Sequence, residues 1–188
     1  MKKTFSVSQI TLHWLVFIGV VVAYTAIELK GFWPKGSVTR EMLAQVHYTA
    51  GISVLLLMII RIFLKIRHRD PLIVPAPPRW QTILAKSAHG ILYLMFLALP
   101  VLGILIVYFG QKHGSFFGIT LPVAAVANKV IQRDIKEIHE LIANVGYFVI
   151  GLHAAAALFH HYIVRDNTLQ RMLPIAGAGF QSKSRSGR

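Results

Sequence analysis

The chain has 188 residues, 55% of them hydrophobic and 14% charged, and its mean hydropathy is clearly positive. A soluble domain carries roughly 25% charged residues, so this composition points to a membrane. Formal net charge is +13 and cysteine is absent, which excludes disulfides, thiolate metal sites, iron–sulfur clusters and thioether-linked haem.

Four apolar runs, Ile10–Ile27, Met42–Ile60, Ala88–Phe109 and Ile138–Val164, approach or exceed the roughly 20 residues that a membrane-crossing helix needs. They predict an all-α integral membrane four-helix bundle, one domain over residues 1–173, with a basic, disordered tail over 174–188. The first helix runs near Ser8–Leu29. Its "MKK" start lacks a small-x-small cleavage pattern, so it reads as a retained span. A short connection, Lys30–Thr39, leads to a second helix near Arg40–Ile66. The link "HRDPLIVPAPPRW" is proline-rich and should be extended and non-helical. The third helix, near Leu84–Phe109, contains Pro100 with Gly103 close behind, which predicts a kink. Gly110–Asp134 leads to the fourth, near Ile135–Arg165. Within that connection Ile119–Ala127 is too short to span, and belongs in a loop or at the interface.

Of the 20 lysines and arginines, Lys30, Lys35, Arg40, Lys112, Lys129, Arg133 and Lys136 fall on one side of such a bundle. The remaining thirteen (20 less those seven) fall on the side of both termini, which places the termini in the cytoplasm. Because the basic residues flank spans, lipid is the partner they imply, and nucleic acid is not.

Among nine histidines, His68 and His113 fall in connections. His139 and His153 share one face of the fourth helix, about 21 Å apart along its axis. Gly146 lies midway on that stripe and His160 continues it, while Gly51 follows His47 by one turn. A glycine at such a place leaves room for a flat group to approach the backbone. His153 has apolar flanks, so its imidazole needs a partner from another helix or a ligand. Depth pairs His47 with His139 and His13 with His153, although His89 could replace His13. Two histidines from facing helices can supply both axial ligands of one haem iron. Zinc or copper could use the same imidazoles, but two pairs of neutral histidines underserve tetrahedral zinc. Two haems fit better, and a histidine-lined metal transporter is the rival. For His89 and His161 an interhelical or interfacial hydrogen bond is the plainer role.

The segments "ITLHWLVF", "HYTAGISVLLLMIIR", "AHGILYLMFLALPVLG" and "HELIANVGYFVIGLHAAAALFHHY" resemble the bacterial cytochrome b561 family over nearly the whole chain apart from the tail. The resemblance implies two non-covalent b-type haems in a bacterial inner-membrane protein, with His13, His47, His139 and His153 as the iron ligands. It implies that His89 is no ligand but lies near a haem propionate or a quinone. Stand-alone members of the family imply a superoxide oxidase, passing electrons from periplasmic superoxide through both haems to ubiquinone. Other members imply a cytochrome b subunit of a hydrogenase- or formate dehydrogenase-type complex. The outer basic residues suit steering of a small anion, or plain attraction to headgroups. For the quinone, His89, His160, His161, Arg79 and Trp80 are the candidates at the cytoplasmic face. Arg61 and Lys65 are candidates to neutralise haem propionates, or to anchor in the inner leaflet.

Overall fold

A computed structural model describes residues 4–68 and 70–174; of the tail assigned to 174–188, all but Pro174 lies outside the described residues. Four long helices dominate. Helix α1 (Val7–Lys30) opens with a reciprocal cap, in which Ser6 Oγ accepts from Gln9 N–H and Gln9 Oε1 accepts from Ser6 N–H. Helix α2 (Val38–Arg67) is capped by Ser37, with Glu41 in its first turn and Lys65 and Arg67 in its last, the signs that suit the helix dipole. Helix α3 spans Arg79–Gly110 and ends on Gln111 in the left-handed region. Helix α4 (Lys129–Phe159) is capped by Asn128 and runs into a π-helical turn, His160–Val164.

Two starts differ from the sequence reading. Helix α3 begins at Arg79, so Arg79 and Trp80 stand in its first turn rather than in an extended link. Pro78, with φ −63°, already has the torsion that precedes a helix, and its lack of an N–H costs nothing there. Helix α4 begins at Lys129, before the apolar run, because Asn128 Oδ1 accepts from Ile131 N–H at 3.0 Å. Hydropathy locates the membrane portion of a helix, not its capped end. In the connection between them, Ser115–Phe116 (β1) pairs antiparallel with Ile119–Thr120 (β2). Phe117 and Gly118, at φ 46° and 85°, form its two-residue turn.

The consecutive spans bring Phe5, the link around Val74 and the segment after α4 to one end, here the terminal end. The other is the loop end. Helix α1 packs closely on α2, α2 on α3 and α3 on α4, whereas the backbones of α1 and α4 barely approach. At Gly19 a Cβ would stand 2.8 Å from Val54 Cγ2, so this glycine permits the close α1–α2 approach. Val16, Val20, Val54 and Met58 form one core cluster; Leu92, Met95 and Leu99 form another. Outward faces carry exposed Leu94, Phe148 and Leu152, as expected where lipid is the solvent. Helix α4 is the least packed. Only Gly146 is buried on it, and 6% of its apolar window is buried, against 22% for α1 and α3.

Candidate cofactor site

Between α1 and α4, side chains reach across where the backbones do not, and they gather in two clusters. At the terminal end each helix gives one polar group: His13 from α1, Arg61 from α2, His89 from α3 and His153 from α4. They line a cavity of about 80 Å³ whose remaining walls, Met58, Phe96 and Ile150 among them, are mostly apolar. The His13 and His153 ring centres are 6.3 Å apart, and those of His89 and His153 are 5.3 Å apart. Arg61 Nη1 donates to His13 Nδ1 at 2.7 Å, and its guanidinium lies 5.9 Å from the Tyr93 ring centre. His89 Nδ1–H donates one turn back to the Ala85 carbonyl at 2.7 Å, and His89 is otherwise exposed at the bundle surface.

The loop-end cluster repeats the plan. His47 on α2 and His139 on α4 have ring centres 6.3 Å apart. His47 Nδ1–H donates to the Ala23 carbonyl of α1 at 2.9 Å, which leaves Nε2 as the free lone pair. His139 packs against Gly103 of α3, where a Cβ would sit 3.7 Å from its Cε1. Its Nδ1 is buried, with no hydrogen-bond partner among the described residues. Such a group is costly unless a bound species changes its surroundings.

Imidazole nitrogens hold first-row metals at about 2.0 Å, and the ring centre lies about 1.1 Å behind, so two rings on opposite sides of one metal have centres roughly 6.2 Å apart. Both pairs stand at that separation. The structure therefore brings His13 to His153 and His47 to His139, as depth suggested, and sets His89 beside the first pair.

The two glycines expected to leave room for a flat group differ from each other. Gly51 faces open space, with nothing within 4 Å of a Cβ built there. Gly146 does not. A Cβ on it would meet Tyr24 Oη at 2.5 Å and Met95 Sδ at 3.1 Å, so protein groups fill the space expected for a flat ligand. Tyr24 Oη–H donates to the Ala143 carbonyl at 2.9 Å, tying α1 to α4 between the two clusters. The five quinone candidates lie on α3 and on the turn that ends α4. His89 joins the histidine cluster, Arg79 and Trp80 stand at the start of α3, and His160 turns to Asp166. His161 keeps a buried Nδ1 with no partner among the described residues. The sequence reading missed Asp166 and Trp14; Asp166 could have been found as the only acid after the last span.

Four membrane-length helices around two histidine pairs mark a multi-pass membrane protein. The model of prokaryotic cytochrome b561 matches residues 4–174, and the chain belongs to that family. It is 49% identical to cytochrome b561 homolog 1 of Escherichia coli (strain K12) over 90% of this chain and 97% of that protein. To the probable superoxide oxidase CybB of Yersinia pestis it is 44% identical, over 93% and 98% of the two chains. Membership implies a b-type haem as cofactor and electron transfer as the chemistry.

Proposed function

We propose that this chain is a superoxide:ubiquinone oxidoreductase of the bacterial inner membrane, with cytoplasmic termini and two b-type haems, one toward each face. His13 and His153 are the proposed axial ligands at the terminal end, and His47 and His139 at the loop end. The observation that carries the haem-binding part of this reading is the separation of 6.3 Å shared by both pairs. When bound, a haem would supply a one-electron carrier, and the two histidines of each pair would hold it.

The protein's part is to orient, exclude water and steer. His47 is held by its Nδ1–H bond to the Ala23 carbonyl, which aims Nε2 inward and raises its basicity. His13 has the opposite tautomer while Arg61 donates to its Nδ1. To present Nε2 to iron, His13 must carry its proton on Nδ1, so Arg61 must release it; a haem carboxylate is the partner that its guanidinium suits.

At the loop end, Lys30 lies within electrostatic reach of Arg40, Lys112 and Lys136. Burial, then the neighbouring Lys136 and Lys129, hold the Lys112 ammonium below its ordinary pKa. Glu140 partners Lys136 at 2.5 Å, and with Glu28, Glu41, Asp134 and Glu137 the loop end sets five carboxylates against seven lysines and arginines, so the positive excess is small. Such a patch favours a small anion. The name of the Yersinia pestis relative is what singles out superoxide. At the terminal end, His89 both lines the cavity and is exposed on the membrane-facing surface, a place where a lipid-soluble quinone reaches His153.

The test is purified protein in ubiquinone-containing liposomes supplied with a superoxide-generating system. Ubiquinol formed at the expense of superoxide is expected. Haem that is reduced while no ubiquinol appears would instead make the chain an electron-transfer subunit awaiting a partner.

A further inference from the structure

Seven acidic residues occur in the whole chain, and Asp166 is the only buried one among them. Its side chain is 1% exposed, just beyond the π-helical turn at the terminal end. His160 Nδ1–H donates to Asp166 Oδ2 at 2.5 Å, and Thr168 N–H donates to Oδ1 at 2.8 Å. Burial alone would raise this carboxyl; the hydrogen bonds from His160 and Thr168 more than offset it and hold the pKa below the ordinary 3.8. An ionised Asp166 fixes the proton of neutral His160 on Nδ1, leaving Nε2 to exchange protons.

Placement gives the pair its use. His160 follows His153 by seven residues on one stripe, about 10 Å nearer the terminal end. Its side chain is 21% exposed, so the pair bridges solvent and interior. The segment after α4 is secured without it, since Arg171 Nη1 donates to the Pro71 carbonyl, Val74 N–H to Asn167 Oδ1, and Trp14 Nε1–H to the Met172 carbonyl. Charged and titratable neighbours are Arg171 of that segment, Asp70 of the link, and His161 and Arg165 on the turn itself.

We propose that His160, held by Asp166, is the proton donor for quinone reduction at the terminal end. This rests on the ubiquinone reading above. Two superoxide anions lose one electron each and become dioxygen, and the quinone gains both electrons. Its two oxygens take up two protons, each from His160 Nε2, which is reprotonated from cytoplasmic water. Asp166 holds the ring through Nδ1 while Nε2 gives up and regains the proton.

The test isolates the quinone step. Holoprotein reduced with dithionite under anoxia is mixed with a short-chain ubiquinone, and haem reoxidation is followed across pH. Wild type, His160→Gln and Asp166→Asn are compared, with and without added imidazole. His160→Gln is expected to slow reoxidation roughly a hundredfold and imidazole to restore it. Asp166→Asn, which takes away the acceptor that holds His160 Nδ1–H, is expected to slow reoxidation as well. A wild-type rate in His160→Gln, or no recovery with imidazole, overturns the proposal. Should His160→Gln fail to retain haem, a wild-type rate in Asp166→Asn overturns it just as well. Wild-type haem that stays reduced in the presence of quinone would sink the ubiquinone reading itself, and the donor role with it.

Discussion

At Gly146 the α4 backbone meets the Tyr24 hydroxyl and the Met95 sulfur, and the fit leaves no space for a methyl group. Gly146→Ala should therefore cost about 1–3 kcal/mol through overpacking. Tyr24→Phe, which removes the hydroxyl nearest to that methyl, should reduce the penalty. Thermal unfolding of the four-member mutant cycle in detergent checks both, and additive effects would separate the two residues. Asp166 offers a second test of local chemistry. Its carboxyl pKa is lowered in the folded protein, so its stabilising contribution is full above the unfolded value near 3.8 and is lost as pH falls through the lower folded value. Asp166→Asn should flatten that acid limb, monitored by fluorescence of Trp14, whose indole bonds the same segment.

The helices show which elements local sequence can specify. Apolar runs located all four spans, and the Ser6 and Ser37 caps lie where polar residues precede them. The early starts of α3 and α4 were hidden because their first turns carry Arg79, Lys129 and Arg133, which hydropathy assigns to loops. The segment after α4 was illegible for a different reason. Its bonds run to Phe5, Pro71, Val74 and Trp14, and no local pattern encodes partners so far away in sequence. Arg171 is central to it, donating to the Pro71 carbonyl and resting 5.5 Å from the Phe5 ring centre. Arg171→Ala should cost about 1–3 kcal/mol by stranding that carbonyl. It should also speed proteolysis within the link before α3, a rate that limited digestion measures.

Across the whole molecule, the histidine pairs were readable because helical rise converts sequence position into depth, and depth selects partners. What the sequence did not contain was the competition for space and protons. Tyr24 fills the notch at Gly146, Arg61 holds the His13 nitrogen, and Asp166 claims His160. The charge at the loop end is likewise collective, because Lys30, Arg40, Lys112 and Lys136 converge from α1, α2, the connection after α3 and α4. If that patch steers superoxide, Lys112→Gln should lower the bimolecular rate of haem reduction and weaken its dependence on ionic strength. Stopped-flow rates over a salt series decide this, and a salt-independent wild-type rate would remove steering from the account.

Both the electron path and the uses assigned to its ends presuppose two bis-histidine sites. The most direct measurement is haem content per purified chain, by pyridine haemochrome, in wild type, His153→Ala and His139→Ala. Two b haems in wild type, falling to one in each variant with a different spectral component lost, is the predicted result. A wild type with no haem despite adequate supply, or variants that each keep both, would contradict the assignment of the two pairs.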